Sequence, residues 1–394
     1  MTLKTLFFRT ILWIGLLTSS CPSMRAQEIT DSVNTESPKK REKIKANLKK
    51  KGSLIYRFIK QFDAIDSEYI TPNYYNYTTM LQNTNYFQLY KFSGRNQEGT
   101  TQSITLKPSH SIKVGPYFGW RWIFLGYTFD LGHPHSAGKS SEFNLSLYSS
   151  MLGVDFIHIR NTGNFKLKKV NGFDEIPSKH FYNYPVTGVK ADIMSYSGYY
   201  VFNHRKFSYP AAYNQSTMQR KSCGSPMLGI GFSKQKLEFD YTKLPPELTE
   251  DGKIIDELKF DKINYKYFYV SGGYAYNWVF APHIMLGVSV MPSIGLRKEK
   301  NQKIHSDQII KDIKNLSFDC VSRAGLVWNN SRWFLGASYI NNLYLYRKKN
   351  FSITNSVNFL NIYIGFFFNR KSQYRDKKYI ERQSKRKLKR VNKD

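Results

Sequence analysis

From about Tyr69 onward, apolar and polar positions alternate with a period of two. In Trp122–Leu131 (WIFLGYTFDL), Ile123, Leu125, Tyr127, Phe129 and Leu131 share one parity, and Trp122, Phe124, Gly126, Thr128 and Asp130 share the other. The first set is wholly apolar, and the second turns small and polar. Successive side chains of a strand point to opposite faces, so this pattern predicts a strand with one apolar face. The same alternation sets Phe143, Leu145 and Leu147 against Asn144, Ser146 and Tyr148, and Ile284, Leu286, Val288 and Val290 against Met285, Gly287 and Ser289. Phe334, Gly336, Ser338 and Ile340 oppose Trp333, Leu335, Ala337 and Tyr339; Leu360, Ile362, Ile364, Phe366 and Phe368 oppose Asn361, Tyr363, Gly365 and Asn369. Weaker runs occupy Tyr74–Phe92, Thr101–Gly119, Val154–Arg160, Gly188–Asn203, Pro226–Asp240, Asn264–Val279 and Leu316–Trp328. The total is about twelve strands, an even number suited to a membrane barrel.

Alternation alone also fits a sandwich core, so the surroundings of the strands matter. After the first residues, no segment of membrane-spanning length is free of charge, which excludes transmembrane helices. Phe118-Gly119-Trp120 and Asn329-Asn330-Ser331 read as tight turns, whereas Lys169–Tyr184 and Leu244–Lys259 read as long polar loops. Short turns at one end and long loops at the other are the asymmetry of outer-membrane barrels. Trp120, Trp122, Trp278, Trp328 and Trp333 fall at or near strand ends, the depth that amphipathic rings prefer in a bilayer. With 29 tyrosines, 28 phenylalanines and six tryptophans, aromatic residues make up 16% of the chain, which suits interfacial girdles. The expected fold is therefore all-β: an antiparallel transmembrane β-barrel over residues 66–370, preceded by a short helix.

The flanks differ from this body. Lys4 and Arg9 precede a short apolar run, Ile11–Leu17, and small residues lead to Ala26-Gln27. Residues 1–26 thus read as an export signal, and the expected location is the cell outer membrane. Cys21 invites a lipoprotein reading, but the preceding Thr18-Ser19-Ser20 lacks the leucine a lipobox needs. Residues 27–65 form a basic, partly helical periplasmic segment, in which Ile44, Leu48, Ile55, Ile59 and Phe62 sit at helical spacing within Pro38–Phe62. Residues 371–394 form a basic tail. Cys223 and Cys320 remain after signal removal, either bridged or as two free thiols.

The net charge of +30 first suggests nucleic acid. Its placement argues otherwise. Lys39–Lys51 holds eight basic residues and one acid, and Arg370–Asp394 holds twelve and three, so two short flanks carry over half the excess. The expected partners are outer-membrane lipids, with lipopolysaccharide or peptidoglycan met through the basic termini, and no nucleic acid; a plain solvated charge run is the competing reading.

No catalytic constellation is legible. His133 and His135 flank Pro134 in a loop-like stretch with no acid or cysteine at ligand spacing, so no metal, cofactor or catalytic residue is assigned. There is no Gly-x-Ser-x-Gly elbow and no phosphate-binding glycine loop. Asp130, Asn144, Asp155, Asp240, Arg323 and Asn361 are candidate lumen residues that would tune selectivity in a wet barrel or pair off in a narrow one.

Several runs resemble a Bacteroidota family known only as a conserved domain of unknown function with an expected outer-membrane barrel. They are Tyr69–Tyr77 (YITPNYYNY), Met80–Asn85 (MLQNTN), Gly115–Leu131 (GPYFGWRWIFLGYTFDL), Phe202–Gln215 (FNHRKFSYPAAYNQ), Tyr274–Phe280 (YAYNWVF) and Arg323–Trp333 (RAGLVWNNSRW). The resemblance spans about residues 65 to 370 and implies a barrel, an outer-membrane location and no assigned site residues. Three functions stay open: a pore, transporter or structural envelope protein; an outer-membrane enzyme acting on lipid or lipopolysaccharide; and a soluble periplasmic β protein whose apolar parity faces an interior.

Overall fold

The computed structural model describes residues 65–108, 111–120, 123–126, 129–130, 140–162, 165–173, 176–299, 316–371 and 374–375. The export signal, Cys21, the helix expected over Pro38–Phe62, Trp122, the histidines at 133 and 135 and most of the basic tail lie outside these residues. The strands are β1 (Ile70–Pro72), β2 (Tyr75–Arg95), β3 (Thr101–Pro108), β4 (Ser111–Trp120), β5 (Ile123–Gly126), β6 (Phe129–Asp130), β7 (Ser140–Tyr148), β8 (Leu152–Thr162), β9 (Phe165–Asn171), β10 (Pro185–Val186), β11 (Val189–Val201), β12 (Thr217–Gln219), β13 (Cys223–Phe239), β14 (Lys262–Ala281), β15 (Ile284–Glu299), β16 (Leu316–Asn329), β17 (Trp333–Arg347) and β18 (Phe351–Arg370). Two short helices, α1 (Tyr209–Tyr213) and α2 (Pro246–Thr249), lie in connections.

The described strands pair antiparallel throughout. The wall runs β4-β2-β18-β17-β16-β15-β14-β13-β11-β8-β7, with β5 and β6 paired to β4. This arrangement is all-β, as the alternation predicts, and the described sheet counts 16 strands where about twelve were expected. The sheet curls so that its distant strands meet. Eight steps along the path separate β2 from β8, about 38 Å on a flat sheet. Yet Asn161 Nδ2 on β8 donates to Gln88 Oε1 on β2 at 2.9 Å. Lys113 on β4 and Glu142 on β7, at the two ends of the path, form an ion pair of 3.1 Å.

Among the described residues, the reversals β7–β8, β14–β15 and β16–β17 are short and lie at one end, which the longer β11–β13 connection shares. There Asn329 Oδ1 accepts from the Ser331 N–H at 2.8 Å and Asn330 Oδ1 from the Trp333 N–H at 2.8 Å, closing the expected turn between β16 and β17. The chain also enters and leaves the wall at this end, where the Lys371 N–H donates to the Tyr74 carbonyl at 2.8 Å. The opposite end carries the long loops. Two expectations need correction. Phe118-Gly119-Trp120 is the last part of β4, with Gly119 paired to Thr78, and the reversal follows Trp120. An aromatic-glycine-aromatic run satisfies period two as well as it suggests a turn. The run Thr101–Gly119 is two strands: β3 pairs the long-loop end of β2 and β4 its other end. Pro108, which has no N–H for a ladder bond, closes β3.

The wall is inverted relative to a soluble protein. Along β14, Phe268, Val270, Tyr274, Tyr276 and Trp278 point outward and are exposed, while Tyr265, Tyr267, Tyr269 and Ala275 point inward and are buried. Leu228 and Ile230 on β13, Val288 and Val290 on β15, and Ile362 and Ile364 on β18 are exposed in the same way. Buried against them from within are Ser225, Ser233, Ser271, Ser289, Asn342 and Asn355. Trp120, Trp278, Trp328 and Trp333 are all exposed near the short-turn end. From Phe268 to Trp278 the strand rises about 33 Å, which a tilt of about 40° reduces to about 25 Å, the height of a bilayer's apolar band. Contiguous exposed apolar surface on this scale marks a lipid or partner interface. Leu228 sits halfway up this band, paired with Gly272. Leu228→Arg is therefore expected to destabilise the folded protein by about 2–4 kcal/mol, measured by urea titration in lipid vesicles, whereas a water-facing position would tolerate it.

Candidate functional site

Among the described residues, two connections and several layers of side chains fill the space inside the curled sheet. At the short-turn end, the connection from β11 to β13 turns inward instead of crossing the rim. Its centre is α1, where the sequence Ser208-Tyr209-Pro210 starts the helix. Ser208 Oγ accepts from the Ala211 N–H at 3.2 Å, and Pro210 supplies a pre-set φ where no helical donor is needed. Gln219 ties the two sides of the connection together, accepting from the Ser208 N–H at 2.8 Å and donating to the Lys206 carbonyl at 2.6 Å. Asn277 on β14 fixes both to the wall by donating to the Ser208 carbonyl at 2.8 Å and Gln219 Oε1 at 3.2 Å. β12 continues the connection and pairs with β1, so the residues that precede the wall are stitched to the plug. His204, in the first turn of the connection, is buried; desolvation holds its imidazole below the usual value, so it is neutral at pH 7.

Two glycines make the seat for α1. A Cβ on Gly287 of β15 would stand 2.6 Å from the Ala212 Cβ, and one on Gly325 of β16 would stand 2.8 Å from the Ala212 carbonyl oxygen. Only glycine lets the helix lie this close to the strands. Gln215, at φ 54, then donates from Nε2 to Tyr363 Oη at 2.6 Å.

Above the plug lies a deeply buried charge pair. Arg323 Nη2 on β16 meets Asp155 Oδ2 on β8 at 2.6 Å, and both side chains are 5% exposed. These strands are five steps apart in the sheet, so the bridge crosses the lumen. Arg323 Nη1 also donates to Tyr209 Oη on the plug at 2.8 Å, and that hydroxyl lies 3.1 Å from Ser289 Oγ. Tyr148 and Tyr199 pack edge-on against Tyr209, each with ring centroids 5.5 Å away. Among the described residues, Asp155 Oδ1, Arg323 Nε and Tyr199 Oη have no protein partner. The adjoining cavity holds about 30 Å³, room for roughly two waters to serve them. Next to this polar layer, Tyr86, Ile157, Ile159, Ile193, Val357 and Phe359 form an apolar layer.

At the long-loop end, residues between β13 and β14 fold over the mouth. Leu244, Leu248, Ile254 and Leu258 are buried with Phe92, Phe239 and Tyr346 in the largest apolar cluster. Gln102 on β3 pins this loop by donating to the Lys253 carbonyl at 2.6 Å and accepting from the Ile255 N–H at 3.0 Å.

Of the residues expected in the lumen, Asp155 and Arg323 are brought together, and Asn361 is luminal too, donating to Ser338 Oγ at 3.2 Å and accepting from Gln82 at 3.3 Å. Asp240 is not luminal. It lies past the end of β13 and caps the first turn of the mouth-covering loop through the Thr242 N–H at 3.1 Å. Asn144 is exposed on β7, at the end of the sheet path. The Asp130 side chain lies outside the described residues. Cys223 and Cys320 are both free. Among the described residues, no group of three histidine, cysteine or acidic side chains stands close enough for a metal ion. A histidine–acid pair does occur: His158 Nε2 lies 3.5 Å from Asp192 Oδ1 on the outer wall, and Arg160 holds the same carboxylate at 3.1 Å.

Among the solved structures similar to this chain are outer-membrane proteins, each a distant match. The outer membrane protease OmpT of Escherichia coli is 9% identical over 78% of this chain and 100% of its own, with a TM-score of 0.33. The outer membrane protein OprG of Pseudomonas aeruginosa is 9% identical over 76% and 98%, with a TM-score of 0.23. Ail of Yersinia pestis is 7% identical over 73% and 99%, with a TM-score of 0.20. Likeness this remote bears on neither substrate nor reaction. No curated protein matches the chain. One family does match, across residues 64–368, from just before β1 nearly to the end of β18: the chain belongs to the family described as Domain of unknown function (DUF4421).

Proposed function

We propose that this chain is an outer-membrane barrel that does not conduct, a structural protein of the envelope that presents its long-loop end to the outside. The supporting observation is the combination of a lipid-type outer wall with a lumen filled by a plug, a cross-lumen ion pair and a capped mouth. A pore needs a continuous wet path, and the described interior offers a cavity of about 30 Å³. Export would follow from residues 1–26. The basic flanks attach where the chain enters and leaves the wall, which is one end, so both would meet anionic lipid or peptidoglycan on the periplasmic side. The soluble reading required the apolar parity to face inward, and that parity is exposed.

The enzyme reading rests on the His158–Asp192 pair alone. Arg160 competes for its carboxylate, and the residue paired opposite His158 is Met194, not a nucleophile, so no reaction is assigned to it.

The test is the detergent-purified full chain, examined by unboiled gel migration and in a planar bilayer. The unboiled protein is expected to migrate apart from the boiled one and to insert silently. Regular conductance steps would overturn the closed lumen. Recovery of folded protein without detergent would overturn the membrane.

A further inference from the structure

Three lysines stand abreast on the outer wall near the long-loop end. Lys234 on β13 is paired directly with Lys266 on β14, and Lys266 with Lys298 on β15. All three are exposed, and among the described residues none of the three lies within ion-pair distance of a carboxylate. Their neighbours toward the loops behave differently. Glu238 holds Lys236 at 2.8 Å, Lys262 at 3.5 Å and Lys190 at 3.9 Å. Glu238 thus gives one set of lysines a shared counter-charge, whereas the adjacent row has none among the described residues. Like charges placed directly opposite on a sheet, with Cβ atoms about 5 Å apart, are destabilising. A row that repels itself calls for an anion to occupy it.

What lies beside the row identifies that anion. The next outward row toward the short-turn end is Phe232, Phe268 and Leu296, followed by Ile230, Val270 and Ile294. Phe268 and Ile294 are among the exposed apolar residues. Two residues along a strand cover about 7 Å, so the ammonium groups stand just outside the apolar band. At that depth a bilayer presents headgroups. A ligand that fills both rows carries phosphate on the lysines and acyl chain on the rings beside them.

We propose that Lys234, Lys266 and Lys298 form a binding site for the phosphate groups of a phosphorylated lipid in the leaflet at the long-loop end. The site rests on the membrane reading given above. The phosphate oxygens bridge the three ammonium groups and relieve their repulsion, and the lipid chains run down the wall over Phe268 and Val270.

The test uses the full chain in detergent micelles, with native mass spectrometry reading bound lipid. Diphosphorylated lipid A, the same lipid after phosphatase treatment, and inorganic phosphate are the three probes. The variant carries Lys234→Gln, Lys266→Gln and Lys298→Gln; the control variant carries Lys190→Gln, Lys236→Gln and Lys262→Gln. Each lysine of the row contributes roughly fivefold in affinity, so the row variant is expected to bind lipid A roughly 150 times more weakly. The control variant should stay within about tenfold of the parent, the dephosphorylated lipid should bind both variants weakly, and millimolar phosphate should not displace lipid A. Equal loss in both triple variants would reduce the row to general surface charge and overturn the site. So would unchanged binding by the row variant, or displacement by free phosphate. The unboiled gel shift is read in parallel. If it persists while lipid binding is unchanged, only the site fails; if the protein needs no detergent, the membrane reading itself fails.

Discussion

Arg323→Ala is expected to lower the stability of the folded barrel by about 3–5 kcal/mol, because it strands the Asp155 carboxylate in a closed interior. Three losses combine. The cross-lumen ion pair disappears, Tyr209 loses its 2.8 Å donor, and the side chain that fills the space between Tyr199 and Tyr209 is removed. The measurement is the temperature at which the fast-migrating unboiled form converts to the slow one. The double variant Asp155→Leu, Arg323→Met is the comparison. Replacing both partners of a buried pair by apolar groups is often neutral, so the double variant should recover most of the loss. A single variant as stable as the parent would mean that bulk water reaches the pair, and the closed lumen would have to be given up.

The second large effect is expected from Gly287→Leu. The glycine faces α1, and its Cβ would meet Ala212 at 2.6 Å on one side and Asn277 Oδ1 at 2.8 Å on the other. Neither neighbour can retreat cheaply, since Ala212 is fully buried and Asn277 holds the Ser208 carbonyl. Overpacking of this kind costs about 1–3 kcal/mol, and the loosely anchored element, a five-residue helix on a connection, is the part that gives way. The plug should be displaced, and single-channel steps should appear in a bilayer where the parent protein is silent. Gly272→Leu is the matched control on the same sheet, because nothing lies within 4 Å of where its Cβ would be. Steps from both variants would point to a generally weakened wall. Steps from neither would mean that the plug is not what closes the barrel.

The wall was legible in the sequence because its signal is local. Period two in Ile284–Val290 and Leu360–Phe368 needs no knowledge of partners, and the structure turns those residues outward as a set. The tryptophans at strand ends were legible for the same reason. The contents of the barrel were harder to read. Asp155 and Arg323 were recognisable as inward and polar, but their meeting depends on curling a sheet whose strands are separated by 168 residues of chain. Phe202–Gln215 entered the sequence reading only through the family resemblance, with no element assigned beyond Asn203. Its Ser-Tyr-Pro start does carry a helix signal. The glycines that receive it, Gly287 and Gly325, look in sequence like ordinary small residues of a luminal face. Asp240 shows the opposite failure: it falls on the outward parity of β13 with Leu228 and Ile230, one residue past the strand's end, and caps a loop turn instead. Phe118-Gly119-Trp120 misled because glycine between aromatics is equally at home in a turn and on a small-residue face.

The longest pairing in the molecule joins the first long strand to the last: Tyr75 lies opposite Arg370 and Gly94 opposite Phe351. Assembly inherits a constraint from this. Contacts so distant in sequence form late, since a long stretch of chain must be held before any of them is rewarded. Until β18 arrives, β2 and β17 each display an unsatisfied row of backbone donors and acceptors, the kind of open edge that recruits foreign strands. The chain must therefore be shielded until β18 has been delivered, and this twenty-residue strand acts as the latch that ends the vulnerable period.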